Sequence, residues 1–145
     1  MLSSSALHSV RAMIALASQP PGTFVGSPAI AKQVGAPTNY LGKLLQTLAR
    51  ADLVVSQKGL GGGWALGKEA AGISLLDIVN SIEDVSRWRT CILGRPECSD
   101  GNPCHVHDSW GPVRDAFLTF MTQTTLQQLV DEGGVERLVS RANPS

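Results

Sequence analysis

The sequence predicts a mostly α-helical fold with one small β wing, and three observations predict it. Apolar residues recur at helical spacing through most of the first third of the chain. One short β-branched run, Leu53-Val54-Val55, is followed by a glycine-rich stretch and a second short apolar pair, Ala65-Leu66, as in a hairpin. Helical periodicity then resumes on both sides of a loop rich in Gly, Pro, Asp and Cys. At 145 residues the chain is the size of one typical domain, so a single folding unit over 1–145 is expected.

Leu7, Val10, Ile14 and Ala17 mark the first helix, stopped by Gln19-Pro20-Pro21-Gly22. Ser27-Pro28 reads as an N-cap followed by proline at the first helical position, where its missing N–H costs nothing. Ile30 and Val34 face inward on this short helix, and Gly35 ends it. Pro37 opens the next helix, whose Leu41, Leu44, Leu45 and Leu48 form one apolar stripe. Opposite that stripe lie Thr38, Asn39, Lys43, Gln46, Thr47 and Arg50, with Tyr40 near the start and no acid among them. Helix, glycine turn and helix span about 27–50, and the hairpin with its glycine tip spans about 53–67. The order of parts is that of a winged helix-turn-helix, in which the second helix lies in the DNA major groove and the wing reaches phosphates or the neighbouring groove. The same fold used only for protein contacts is the rival reading.

Beyond the wing, Ser74 and Asp77 are spaced as a capping box, with Leu75, Ile78, Val79 and Ile82 inward. A last long helix is expected over about 109–131, with Trp110, Val113, Phe117, Phe120 and Met121 on one side. A Thr124-Thr125 pause interrupts it before Leu126, Leu129 and Val130. So much apolar surface at the end of a small domain points to a dimer interface, hence a homodimer.

The formal net charge is zero, but the two halves differ. Residues 1–68 carry six cations against the single acid Asp52, a balance of +5, and residues 69–145 carry six arginines against eleven acids, a balance of −5. The first half is thus suited to an anionic partner such as double-stranded DNA, where Lys and Arg neutralise phosphates. Lys58 before Gly59 and Gly61-Gly62-Gly63 supports phosphate contact, because glycine lets backbone approach closely. The glycines are not a dinucleotide-binding fingerprint, since no long βαβ unit surrounds them. The expected DNA-contacting set is Ser27, Thr38, Asn39, Tyr40, Lys43 and Thr47, with Lys58, Gly59, Gly61 and Gly62 of the wing.

The chain's three cysteines fall within fourteen residues, as Cys91-x6-Cys98-x5-Cys104, in a loop over about 90–107 that runs on into His105-Val106-His107-Asp108. An odd count always leaves one thiol outside any disulfide framework. The N-terminal stretch lacks a charged region leading a continuous apolar core, as a signal peptide has. No apolar run approaches the roughly 20 residues of a membrane span. A cytoplasmic protein with no membrane partner is expected, and there structural disulfides are rare. Clustered thiolates with His105, His107, Asp100 or Asp108 as a fourth ligand point to an iron-sulfur cluster, to zinc, or to thiols that cycle through oxidised states. His8, on the first helix, is a further candidate ligand, although such a histidine commonly just packs. Trp88 and Trp110 flank the loop as packing residues, and Trp64 is expected to anchor the wing to the helix beneath it. No nucleophile stands with base and orienter partners, so an enzyme is not expected.

Taken together, several motifs resemble the Rrf2 family of bacterial transcription regulators, including its iron-sulfur-biogenesis and nitric-oxide-sensing branches. They are His8-Ser9-Val10-Arg11-Ala12-Met13, Tyr40-Leu41-x2-Leu44-Leu45-x2-Leu48, Ala51-Asp52-Leu53-Val54, and Lys58-Gly59-x-Gly61-Gly62-Gly63-Trp64-x-Leu66. Leu76-Asp77-Ile78-Val79, the three cysteines, and Thr125-Leu126-x2-Leu129-Val130 complete the set. The resemblance implies a homodimer of winged helix-turn-helix heads joined by a long crossing helix. It also implies a [2Fe-2S] or [4Fe-4S] cluster on Cys91, Cys98 and Cys104, controlling a DNA-binding repressor. The fourth ligand varies in the family. His107 stands three residues after the last cysteine, as in the biogenesis regulator, while His8 replaces the N-terminal acid of nitric-oxide sensors. The six-residue first spacing, the extra imidazole of His105 and Gly42 on the second helix depart from the pattern, so cluster type and operator do not transfer.

Overall fold

The computed structural model describes residues 2–96 and 100–142, so Cys98 lies outside the described residues. Seven α-helices and one two-stranded antiparallel sheet are described, in the order α1 (Ser4–Ala17), α2 (Ser27–Val34), α3 (Thr38–Arg50), β1 (Val54–Gln57), β2 (Gly63–Leu66), α4 (Leu75–Ile82), α5 (His107–Gln123), α6 (Leu126–Asp131) and α7 (Gly134–Ala142). Short 3-10 turns precede α4 and follow it.

The first helix is the centre of the fold, packed on by α2, α3, α4, α6, α7 and β2. Its buried residues include Ala6, Ala12 and Ala15, small enough for neighbouring backbones to approach, with Val10, Met13 and Ile14 filling the spaces between. Leu7, expected on the inner face, is 43% exposed instead. The buried stripe runs Ala6, Val10, Met13, and a residue one step along the helix is rotated about 100° from it.

The second and third helices meet as the leucine pattern requires. Gly35 caps α2 in the left-handed conformation at φ 75°, which glycine adopts without a Cβ penalty. Leu41, Leu45 and Leu48 of α3 are fully buried and Leu44 nearly so. Ser27 is not the N-cap of α2: Gly26 holds that place, and Ser27 is the first helical residue. Its hydroxyl is engaged elsewhere, accepting a hydrogen bond from the Trp64 indole at 3.0 Å.

The wing is longer and tighter than the hydrophobic pattern suggests. Val54 pairs with Leu66, Val55 with Ala65, Ser56 with Trp64 and Gln57 with Gly63, so polar residues extend the ladder and only 58–62 form the loop. Trp64 also exchanges backbone hydrogen bonds with Val25, at 2.8 and 2.9 Å. That close approach demands glycine at 63, where φ is 138° and a Cβ would sit 2.4 Å from the Val25 carbonyl oxygen.

Ser74 and Asp77 form the expected capping box on α4. The long terminal helix, by contrast, is two helices. Thr124 is extended, and Thr125 starts α6 with a capping box of its own to Gln128. Backbone bonds from Leu126 to the Ile73 carbonyl (2.8 Å) and from Leu75 to that of Thr124 (2.9 Å) stitch this joint to the start of α4. Leu126 is fully buried and α6 packs on α1, so this part of the apolar surface belongs to the chain's own core. α7 has no counterpart in the sequence reading; its Val135 packs against the core.

Two substitutions test this packing in opposite directions. Ser9 is fully buried and its hydroxyl has no hydrogen-bond partner among the described residues, so Ser9→Ala is expected to stabilise the chain by about 1 kcal/mol. Gly63→Ala is expected to cost about 2 kcal/mol or more, because a Cβ meets backbone there at an unfavourable φ. Chemical denaturation of both variants against the parent checks the two signs.

Candidate nucleic-acid interface and cysteine loop

The exposed side of α3 carries Thr38, Asn39, Lys43, Gln46 and Arg50. Asn39, Lys43, Gln46 and Arg50 follow one another at intervals of four, three and four, which places them along one face of the helix. Between this face and the wing lies a cleft of about 510 Å³ lined in part by Gln46, Arg50, Gln57, Lys58 and Trp64. Because Trp64 bonds both Val25 and Ser27, the hairpin is fixed against the N-terminus of α2, and helix and wing form one surface. Lys58, Gly59 and Gly61 are exposed at the far end of the hairpin.

Four residues of the expected DNA-contacting set are differently placed. Tyr40 is half-buried and turned toward α1: its hydroxyl lies 3.0 Å from Ser5 Oγ and 3.4 Å from His8 Nδ1, and its ring meets His8 edge-on at 5.5 Å. Thr47 donates to the Lys43 carbonyl at 3.1 Å inside its own helix. Ser27 serves Trp64, and Gly62 packs against the Gln57 carbonyl, where a Cβ would lie 2.2 Å away. Conversely, Gln46, Arg50 and Gln57, outside that set, are exposed and line the cleft between α3 and the wing. The polar side of the leucine stripe already exposed the first two, but Gln57 needed the strand register.

Beyond the wing and α4, the cysteine loop is clamped to α5 at its first end. Trp88 stacks edge-on against Phe117 of α5 at 4.9 Å, and the Trp110 indole donates to the Thr90 carbonyl at 3.2 Å, one residue before Cys91. Across the loop, Arg95 donates to the Asn102 carbonyl at 2.6 Å. Cys104 stands just before α5, and its carbonyl accepts from the His107 backbone at 3.3 Å.

This closure brings Cys91 and Cys104 together, thirteen residues apart in sequence, with their sulfurs sharing a 3.3 Å hydrogen bond. Cys91 is buried and both cysteines are free thiols. The contact with Cys104 draws the Cys91 thiol below its ordinary value; burial opposes this, and the Leu93 and Arg95 backbone and the Arg95 charge assist it. Two thiolates on one tetrahedral metal with bonds of about 2.3 Å lie about 3.8 Å apart. The pair is within half an ångström of that spacing, so as donors Cys91 and Cys104 fit a thiolate-bound metal. His107 Nε2 lies 2.7 Å from Asp100 Oδ1. His105 is exposed, and Asp108 is an exposed acid in the first turn of α5, where the helix dipole favours it. Among the described residues no group of three or more His, Cys, Asp or Glu gathers around one point.

A glycine-tipped wing fixed beside a cationic recognition helix defines a winged helix-turn-helix protein of the DNA-binding class. Residues 2–132 match the model of the Rrf2 family, described as an iron-dependent transcriptional regulator, and the chain belongs to that family. It is similar to the HTH-type transcriptional regulator IscR of Yersinia pestis, 28% identical over 142 residues, covering 98% of this chain and 86% of the relative. It is also 33% identical over 104 residues to an HTH-type transcriptional regulator of Aquifex aeolicus, covering 70% of this chain and 72% of that one. Among solved structures, CymR, the global cysteine regulator of B. subtilis, superposes with a TM-score of 0.76 at 26% identity, covering 91% of this chain and 97% of that one. IscR of T. potens, at 22% identity, shares the fold with a TM-score of 0.73 over all of this chain and 92% of its own. The protein is therefore a DNA-binding transcriptional regulator, and its relatives are regulators rather than enzymes. Membership of this family also removes the reading of the fold as a protein-contact module.

The placement of Tyr40 yields a test. Tyr40→Phe is expected to cost about 1 kcal/mol of stability through the lost contacts with Ser5 and His8, and to leave DNA affinity within about twofold. Parallel denaturation and fluorescence-anisotropy titrations check it; a large affinity loss at unchanged stability would return Tyr40 to the DNA-contacting set.

Proposed function

We propose that the chain is a cytoplasmic, homodimeric repressor whose operator affinity is set by an iron-sulfur cluster held by Cys91, Cys98 and Cys104, with His107 as the fourth ligand. The observation that carries this reading is the meeting of Cys91 and Cys104 at 3.3 Å at the foot of α5. Such a cluster, [2Fe-2S] or [4Fe-4S], would supply a group whose oxidation, nitrosylation or loss changes the charge and bonding of its thiolates. Cys98, between the pair in sequence, brings the third thiolate. Asp100 at His107 Nε2 matches the carboxylate that commonly orients a metal-bound histidine through its second nitrogen.

The rest of the switch is made by the chain itself. Trp110 and Trp88 tie the loop's near end to α5, and Cys104 runs directly into that helix. α5 packs on α4 and on the 3-10 turn beside it, while Val113 and Phe120 are 57% and 55% exposed. That apolar face is the proposed dimer contact. A change in the loop then moves one α5 against the other and alters the separation of the two recognition helices. Paired half-sites require a fixed separation, so a small shift is enough to lower affinity.

A second reading rests on the same sulfurs. Zinc, or oxidation of the thiols to a disulfide, would use the Cys91–Cys104 pair without a cluster. An anaerobic preparation separates the two. The cluster reading expects a coloured protein with iron and acid-labile sulfide, sedimenting at twice the chain mass, and His107→Ala is expected to change its visible spectrum or make the colour labile. A colourless anaerobic protein without iron and sulfide overturns the cluster, and a monomer overturns the two-headed geometry.

Lys58 is proposed to contact phosphate. Lys58→Ala is expected to weaken binding to all sequences and to reduce the magnitude of the slope of log affinity against log salt by about one per subunit. An unchanged slope removes Lys58 from the interface.

A further inference from the structure

We infer that Leu60 is an apolar wedge that enters the minor groove beside the half-site read by α3. Between Lys58 and Trp64 the chain reads Gly59-Leu60-Gly61-Gly62-Gly63, so Leu60 supplies the tip's one side chain. Its relative exposure is 105%, so it rests on nothing among the described residues. Scattered exposed leucines need no explanation, but this one is held in place. The Gly62 N–H donates to the Gly59 carbonyl at 3.0 Å, and Gly61 has φ 74°. Positive φ at the third position of a closed four-residue turn is the type II pattern, and it sets Leu60 at the outer corner. The turn itself cannot slide, because Gly62 and Gly63 abut the carbonyls of Gln57 and Val25.

The shape of the tip selects the groove. The minor groove of B-DNA is about 6 Å wide, and a turn whose other residues are glycines is narrow enough to approach it edge-on. A tip made to grip phosphates would carry cations or hydroxyls, and here the cation stands one step back, at Lys58. Leucine is among the side chains that proteins insert between base steps, unstacking them and bending the duplex. Pyrimidine–purine steps yield to such insertion at least cost, so Leu60 would give the wing a sequence preference without any hydrogen bond to a base. The inference rests on the proposed reading of the wing as a DNA contact.

Full-length protein purified anaerobically would select duplexes from a random library. Affinity and end-to-end distance by energy transfer would then be measured on the selected duplexes for the parent, Leu60→Ala, Leu60→Met and Lys58→Ala. The expected result is a TA or CA/TG step at a fixed distance outside each half-site, and a bent duplex. Leu60→Ala should lose about tenfold in affinity, straighten the duplex and relax that step, while Leu60→Met keeps all three. If Leu60→Ala keeps the bend, the step and the affinity while Lys58→Ala still weakens binding, the wedge is overturned and the wing's phosphate contact stands. If neither variant moves binding, the wing reading fails and the wedge with it. A Leu60→Ala protein altered only in its self-association without DNA makes Leu60 a protein contact, which also overturns the wedge.

Discussion

The burial of α1 is the constraint on which the other elements depend. One helix, with Ala6, Ala12 and Ala15 among its buried residues, is packed on by α2, α3, α4, α6, α7 and β2. The leucine stripe of α3 is seated on a core that also seats the wing, so neither can turn without disturbing buried side chains. Close-packed interiors resist such motion, since losing even a few contacts costs a kilocalorie or more. The reading head is therefore stiff, and in the proposed homodimer regulation would act on how the two heads are held relative to one another.

Trp64 carries that stiffness out to the wing. A two-stranded hairpin alone is at best marginally stable in water. Here the backbone pair with Val25 adds what is in effect a third strand position, and the indole bond to Ser27 fixes the hairpin's rotation about it. The same closeness explains the glycine at 63, which the sequence suggests as room for a phosphate partner but which meets the Val25 carbonyl of its own chain. In the structure that glycine marks contact, and the wing holds its angle to α3.

Much of this was legible because it follows from local rules. The leucine stripe, the glycine turn between α2 and α3, and the Ser74 capping box each depend on residues within a few positions of one another, and each stands as the sequence implied. What was not legible depends on distant partners. Ser27 has the right chemistry for an N-cap, but an indole thirty-seven residues away claims its hydroxyl. Tyr40 looks available until α1 supplies Ser5 and His8. Thr124-Thr125 reads as a pause in one helix, whereas the start of α4 holds it as a joint between two. The cysteine loop lay between these cases: its candidate donor residues could be named from the sequence, but the pairing of Cys91 with Cys104 requires the fold.

In the proposed switch the size of the effect follows from the contacts at the foot of α5. Coupling between an effector site and a binding site is typically 1–3 kcal/mol, or roughly 5- to 150-fold in affinity. One edge-on aromatic pair contributes about 0.5–1.5 kcal/mol and one neutral hydrogen bond about 1 kcal/mol. The Trp88–Phe117 pair and the Trp110 bond to Thr90 are therefore of the right order, and both join the segment leading into the cysteines to α5. Gly111-Pro112 adds to this, because Pro112 has no N–H for the Asp108 carbonyl and weakens the helix one turn beyond the loop. The proposed switch needs two arrangements of this helix, and Pro112, between the anchor points at Trp110 and Phe117, marks where it would bend. The rigid head on α1 would convert such a bend into a change of spacing between the recognition helices.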